Sequence, residues 1–300
     1  TLSKGALKNS LEDVLDFVLS SPNPGDSLAN IERVIEGAPK ETIKKLSKDK
    51  TALKKLASLG GSSQYLSGFL AQNPDWLEGL FLEGRLETKK DLAMLKKELV
   101  EFCRGAIEFS DMAKRLRIYR NKEYLRIGAR DLFKMSSMAE TAKEISDLAS
   151  ASLDTGIKFV LDELKKSCGA PYYIDENGTQ KEAVFSVIAL GKFGGRELNF
   201  LSDIDIIYVY SSDKGETSGV DGKESSKISL HAFFVKVSEK LTKLINQPTG
   251  DGFVFRVDLD LRPEGRSGDL ANSLRSAEIY YESWGQGWER AALIKARPVA

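Results

Sequence analysis

Leu190-Gly-Lys-Phe-Gly-Gly-Arg-Glu-Leu-Asn-Phe-Leu-Ser-Asp-Ile-Asp-Ile-Ile-Tyr-Val-Tyr210 is the stretch whose reading decides the fold. It carries the end of one short apolar run, Ala183 to Leu190, into a second, Asp203 to Tyr210, through a Gly194-Gly195 turn. Runs of this length bounded by glycine predict central strands. Residues i and i+2 of a strand share a face, so Asp203 and Asp205 project together while Ile204 and Ile206 face the other way. Adjacent carboxylates repel unless something positive sits between them. The usual solution is Mg²⁺, a hard cation that takes oxygen ligands and keeps part of its water shell for a phosphate. With no side chains to obstruct, the N–H groups of Gly194 and Gly195, with a short following helix, could cradle phosphate oxygens.

Phe253 to Leu261 alternates and predicts a third strand, with Asp258, Asp260 and Arg262 on one face and Val257, Leu259 and Leu261 on the other. Beside the first acidic strand, Asp258 would bring a third carboxylate to the same edge. Three acids can hold two Mg²⁺ ions about 3.5–4 Å apart, clamping the attacking and leaving oxygens of an in-line displacement. Asp260 competes with Asp258 for that place, or serves as a salt-bridge residue.

Residues 1–166 read as helices. Leu92, Leu95, Leu99, Phe102, Cys103 and Ala106 recur at helical spacing, and breaks fall at Pro22-Asn-Pro-Gly25, Gly60-Gly61-Ser-Ser63 and Asn73-Pro74. The character changes at Ser167-Cys-Gly-Ala-Pro171. Asn177-Gly178 signals a hairpin, Ser211 to Ser226 a mobile loop, Ile228 to Asn246 a helix closed by Pro248, and 275–297 further helix. The expectation is an α+β chain: an N-terminal helical domain over 1–166, then a small mixed sheet with helices over 167–300.

The chain has 300 residues, 41% hydrophobic and 29% charged, with 44 basic and 44 acidic side chains. Zero net charge argues against a long nucleic-acid partner, which calls for a basic surface. Two cysteines, Cys103 and Cys168, read as buried thiols, and a single histidine, His231, leaves no zinc-finger or Ser-His-Asp chemistry. No apolar run reaches the roughly 18 residues of a membrane helix and no signal-peptide core begins the chain, so a cytoplasmic location is expected. The final residues, Ala296 to Ala300, carry no terminus signal, and the chain reads as a fragment of a longer one.

The ordered set of apolar strand, Gly-Gly, seven residues, Asp-Ile-Asp and a later Val-Asp-Leu resembles the polymerase-beta-type nucleotidyltransferase superfamily. A narrower resemblance spans roughly residues 60–300. It rests on Gly191 to Ile207, Asp258 to Gly268, Tyr280-Tyr-Glu-Ser-Trp-Gly-Gln-Gly-Trp-Glu-Arg290 and Lys295-Ala-Arg-Pro298. Leu116 to Arg120, Leu125 to Leu132 and Gly61 to Leu66 agree as well. These look like the glutamine synthetase adenylyltransferase (glutamate-ammonia-ligase adenylyltransferase) family, whose long chains hold two homologous halves.

The resemblance implies that one half removes AMP from a glutamine synthetase tyrosine by phosphorolysis, and the other attaches it from ATP under P-II regulatory proteins and glutamine. Tyr280 to Gly285 and Phe253 to Asp258 look more like the N-terminal, adenylyl-removing half. The ATP-dependent half, or a nucleotidyltransferase acting on RNA or a small molecule, is the alternative. By the same resemblance Asp203, Asp205 and Asp258 would be catalytic and hold Mg²⁺. Gly194 and Gly195 would bind phosphate with Lys192 or Ser202, and Arg262, Arg266 or Lys295 would offset its charge. Departures occur at Phe193, Asp260 and Asp269, where leucine, arginine and proline are more frequent; the Val-Asp-Leu pattern favours Asp258 over Asp260. Among the rest, the basic cluster at 114–130 reads as a solvated helix face. Trp284, Trp288, Phe233 and Phe234 read as core, and His231 as a packed or solvent-edge histidine.

Overall fold

The computed structural model describes Leu7, residues 10–221 and residues 224–300. Helices come first along the chain and strands begin just after Cys168, so the fold is α+β in the expected order. Packing divides the chain differently from a cut at 166/167. One compact unit takes the chain up to Lys90 with Arg120–Thr141, and the other takes Asp91–Tyr119 with Ala142–Ala300.

The first unit is built from α1 (Leu11–Leu19), α2 (Pro24–Gly37), α3 (Lys40–Leu46), α4 (Lys50–Ser62), α5 (Gln64–Gln72) and α6 (Trp76–Phe81). Side-chain caps set several of the starts. Asn23 accepts from Asp26 N–H with Pro24 at the first helical position, Asp49 accepts from Ala52 N–H, and Ser63 from Leu66 N–H. Gly60 and Gly61 stay inside α4, so the expected break falls at Ser63. Ile31, Val34, Leu53, Leu56, Leu59, Leu66, Leu70 and Leu77 form the core, joined by Leu125 and Ala129.

Two longer helices follow after α7 (Leu92–Phe102): α8 (Phe109–Leu132) and α9 (Met138–Cys168). The basic cluster on α8 is not the solvated face expected. Arg117, Arg120, Arg126 and Arg130 are all buried. Each guanidinium offers several donors in a fixed fork, which suits it to chain segments whose carbonyls lack a ladder partner. Arg117 donates to the carbonyls of Gly252 (2.8 Å), Ala113 (2.7 Å) and Gln247. Arg126 donates to Thr88 O at 3.0 Å and Arg130 to Leu86 O. Cys103 and Cys168 are buried free thiols, and burial pushes the Cys103 thiol up to about 11.

The second unit holds two sheets. The smaller is antiparallel, in the order β2 (Gln180–Glu182), β1 (Pro171–Ile174), β5 (Glu216–Thr217). The Asn177-Gly178 signal lies in its first hairpin, where Asp175 accepts the N–H groups of Asn177 and Thr179, both at 2.9 Å. The Ser211–Ser226 segment, expected as a loop, contributes β5; its residues 222 and 223 lie outside those described.

The larger sheet is mixed, in the order β6 (Val257–Asp258), β4 (Ile204–Tyr210), β3 (Phe185–Ala189), β8 (Arg297–Pro298). β7 (Ala271–Ser273) also pairs with β4, so β6 meets one half of β4 and β7 the other, both parallel to it. Between β3 and β4 stands one turn of helix, α10 (Gly191–Gly194). The long α11 (Leu230–Asn246) buries Leu230, Phe233, Phe234, Val237, Leu241, Leu244 and Ile245, and Phe234 stacks on Phe185 and Tyr210 of the sheet.

The predicted strand Phe253–Leu261 shrinks to Val257–Asp258 because Asp258 Oδ1 accepts the Asp260 N–H at 2.8 Å, turning the chain out of the sheet. α12 (Leu274–Ser283) and α13 (Gly287–Ala292) follow, as the helical pattern after 275 leads one to expect. Trp284 and Trp288 are not core but 73% and 61% exposed. The turn between the two helices is anchored instead by Glu289, which accepts from Tyr280 OH (2.9 Å) and Gln286 N–H (2.7 Å).

Glu123 lies buried in the first unit between Lys90 (2.8 Å) and Arg126 (2.7 Å). Burial pushes its carboxyl up, but Arg126 and Lys90 outweigh burial and hold it below the usual range. A depressed folded-state value stabilises above the unfolded pKa, and that contribution is lost as pH falls through the folded value. Glu123→Gln is expected to cost about 3 kcal/mol in urea unfolding at pH 7, because two buried cations lose their partner. The penalty should shrink on acidification below the ordinary carboxylate range.

Candidate functional site

The acidic edge is assembled by the pairing of β4 with β6. Their parallel register sets Ile204 opposite Val257 and Asp205 opposite Asp258. Neighbouring strands lie about 4.8 Å apart, so two carboxylates sit side by side on one face. Asp205 and Asp258 are half-buried, and Asp203, just ahead of β4, is exposed. Burial first, then Asp258, then Asp203 push the Asp205 carboxyl above its ordinary value, with Lys192 acting weakly the other way. Asp258 and Asp203 are each within electrostatic reach of Asp205.

Asp203 is nonetheless engaged elsewhere. Arg256, next to β6, donates from Nε to Asp203 Oδ1 and from a terminal nitrogen to Leu201 O at 2.6 Å. Its backbone carbonyl accepts Ile204 N–H at 2.9 Å, so one residue ties the head of β4 through both main chain and side chain. Among the described residues, no three His, Cys, Asp or Glu side chains are gathered as a metal-ligand set. The donor chemistry still fits a hard divalent cation: Asp205 and Asp258 are neighbouring oxygen donors, and a positive ion relieves the repulsion that raises Asp205. Asp203 would join them either through Oδ2 beside the Arg256 charge or by exchanging Arg256 for the cation at Oδ1.

Asp260 separates from this group. Arg266 grips its carboxylate at 2.8–3.0 Å and holds Asp260 below its ordinary value. Of the two candidates for the third acid, Asp258 is therefore the one that faces Asp205. Arg262 is buried and spends its donors on its own loop, at Gly268 O (3.2 Å) and Leu259 O (2.9 Å). Lys295 pairs with Glu197 at 2.7 Å, and Ser202 Oγ accepts Asn199 N–H at 3.1 Å. Lys192 is exposed on α10, and its charge reaches Asp205.

The glycine turn is built otherwise than expected. Gly194 N–H donates to Leu190 O (2.7 Å) and Gly195 N–H to Gly191 O (3.1 Å), so both amides are spent within α10 rather than turned to a ligand. Gly194 is required by packing: a Cβ there would lie 2.1 Å from Lys295 O. Arg297 braces the turn from β8, donating to the carbonyls of Gly194 (3.2 Å) and Phe193 (3.1 Å).

The glycine that touches the acidic edge is Gly191. It sits at φ +50°, and a Cβ on it would come within 2.5 Å of Asp205 Oδ2. Sequence reasoning assigned no role to Gly191, Arg256 or Arg297. The alternation that groups Asp258 with Asp260 also puts Arg256 on that face, a usable signal for one of them.

The family described as glutamate-ammonia ligase adenylyltransferase matches residues 53–300. Three similar proteins are each named bifunctional glutamine synthetase adenylyltransferase/adenylyl-removing enzyme. That of Shewanella oneidensis is 36% identical over 81% of this chain and 24% of its own length. That of Hahella chejuensis is 36% identical over 78% and 24%. That of Nitrosococcus oceani is 32% identical over 92% and 27%. The chain thus spans about a quarter of the length of the curated relatives it matches.

Gly191→Ala should destabilise the second unit by about 1–3 kcal/mol in chemical denaturation, from the left-handed backbone that glycine tolerates. Displacement of the Asp205 carboxylate comes in addition. An unchanged unfolding midpoint would contradict the placement of Gly191 under Asp205.

Proposed function

Because the chain belongs to the glutamate-ammonia ligase adenylyltransferase family, we propose that its acidic sheet edge carries out nucleotidyl transfer in the adenylyl-removing direction. The substrate is the adenylylated tyrosine of glutamine synthetase, and the second reactant is inorganic phosphate. A phosphate oxygen attacks the AMP phosphorus, the bond from phosphorus to the tyrosine oxygen breaks, and ADP and tyrosine are formed. The observation that carries the reading is Asp205 facing Asp258 across paired strands, with Asp205 raised by burial and by its neighbours.

Asp205 and Asp258, joined by Asp203, would hold divalent cations, Mg²⁺ being the expected one. When bound, such ions neutralise the repulsion between phosphate and phosphodiester and stabilise the leaving phenolate. The chain's own residues do the rest. The β4–β6 pairing fixes the two carboxylates in register, and Gly191 leaves room for Asp205. A phenol with an ordinary pKa near 10 leaves without a strong general acid, which agrees with an edge built of carboxylates.

The direction of transfer rests on Tyr280-Tyr-Glu-Ser-Trp-Gly285 and Phe253 to Asp258, which look like the removing half. P-II as a regulatory partner, and a cytoplasmic location, belong to the same proposal. The ATP-dependent half is the second reading, favoured by nothing in the site itself.

The test pairs two incubations with Mg²⁺: adenylylated glutamine synthetase with phosphate, and unmodified glutamine synthetase with ATP. Release of ADP in the first and no labelling in the second is expected; the reverse assigns the other direction. Asp205→Asn should lower the rate at least about a hundredfold, the scale for losing one group that stabilises transition-state charge. The same variant should not lose thermal stability at pH 7. A raised folded-state pKa contributes stability below the unfolded value that is lost as pH rises through the folded one, so removing the charge relieves a cost at neutral pH.

A further inference from the structure

We propose that Arg256 is a latch on the acidic edge, a positioning residue that holds Asp203 and competes with the divalent cation for it. The inference rests on the nucleotidyl-transfer reading above and concerns how the same edge is loaded.

Four features of the chain lead to it. Arg256 Nε pairs with Asp203 Oδ1, while a terminal nitrogen of the same guanidinium holds Leu201 O at 2.6 Å. The guanidinium therefore spans the residues just ahead of β4 and fixes Asp203 toward itself. Its own backbone is fixed by the Ile204 N–H to Arg256 O bond, so the side chain is launched from a tied position. Both side chains of the pair are about half exposed, at 52% and 48%, where an ion pair exchanges readily for another cation. Last, the neighbouring arginine is committed elsewhere: Arg266 grips Asp260 through two of its nitrogens.

The guanidinium occupies Asp203 through Oδ1, so a metal that takes that oxygen displaces it, and one that takes Oδ2 meets its positive charge at close range. Arg256 thus lowers the affinity of the edge for a cation on its own. Once released, the same fork is left beside the acidic edge with its donors unspent. A planar guanidinium matches phosphate oxygens two at a time, so the released group suits the phosphate that attacks or the phosphodiester that is cleaved. Cation and phosphate then favour one another through one side chain, and the coupling must be reciprocal.

The test measures Mn²⁺ binding to the full chain by electron paramagnetic resonance or calorimetry, with circular dichroism as the check on folding. Arg256→Ala should bind Mn²⁺ about two- to fivefold more tightly without phosphate, the scale of one exposed ion pair. Phosphate should then tighten Mn²⁺ binding less in the variant than in the parent. Arg275→Ala removes equal charge from an exposed position on α12 and should leave both quantities nearly as they were. Arg256→Lys keeps the charge without the fork and should fall between parent and Arg256→Ala.

Unchanged or weaker Mn²⁺ binding in Arg256→Ala overturns the latch, as does equal tightening in Arg275→Ala, which would mark a bulk charge effect. Asp205→Asn separates the two levels of argument. If that variant binds Mn²⁺ as well as the parent, the acidic edge is not the cation site and the nucleotidyl-transfer reading itself fails. If it loses binding while Arg256→Ala changes nothing, only the latch is lost.

Discussion

Asp205 and Asp258 face one another across a parallel strand pair, and the residues around them answer to that placement of like charge. A carboxylate pair at strand spacing is unfavourable when partly removed from water, as the raised Asp205 carboxyl records. The sheet accepts it because the two strands are held by more than this pair. β4 is hydrogen-bonded on one side to β3 along its length, and on the other to β6 and then β7. Phe185, Tyr208, Tyr210 and Phe234 pack beneath it. Apolar burial on one face supports electrostatic strain on the other, a division common where binding chemistry is mounted on a rigid sheet.

The same constraint explains which neighbours take which partners. Asp260 is one turn from Asp258, yet its charge is absorbed by Arg266 and adds little to the crowd at the edge. Asp203 is absorbed by Arg256. Arg262, which the family resemblance sets near a phosphate, and Arg297 both tie backbone, the first within its own loop and the second across to α10.

Much of this was legible in the chain. The seven apolar positions of α11 are all buried, β3 and β4 fall where the apolar runs stand, and Asp258 lies opposite Asp205 as the alternation suggested. What was not legible has physical causes. An arginine looks hydrophilic in any pattern, because periodicity registers its charge and not where five donors end; hence Arg117, Arg120, Arg126 and Arg130 were misread as solvated. β6 ends early because Asp258 bends its own backbone through the Asp260 amide, a local bond that alternation does not encode. Trp284 and Trp288 read as core in the sequence, yet both stand exposed, and Glu289 does the anchoring. The Gly194-Gly195 pattern predicts open donors, but a single helical turn consumes both amides.

The way α9 is shared has a practical bearing on how pieces of this protein can be made. Its residues from Ala142 onward belong with the sheets, as does α7, and Leu148, Ala151, Leu153 and Val160 have no exposed surface. A gene trimmed to begin at the first strand would strip α11 of the helix that Gly156 sets against Leu241 and Leu244, and leave that apolar surface wet. Such a product should collect in inclusion bodies, and a cut just ahead of α7 would expose Leu125 and Ala129 of the first unit's core in the same way.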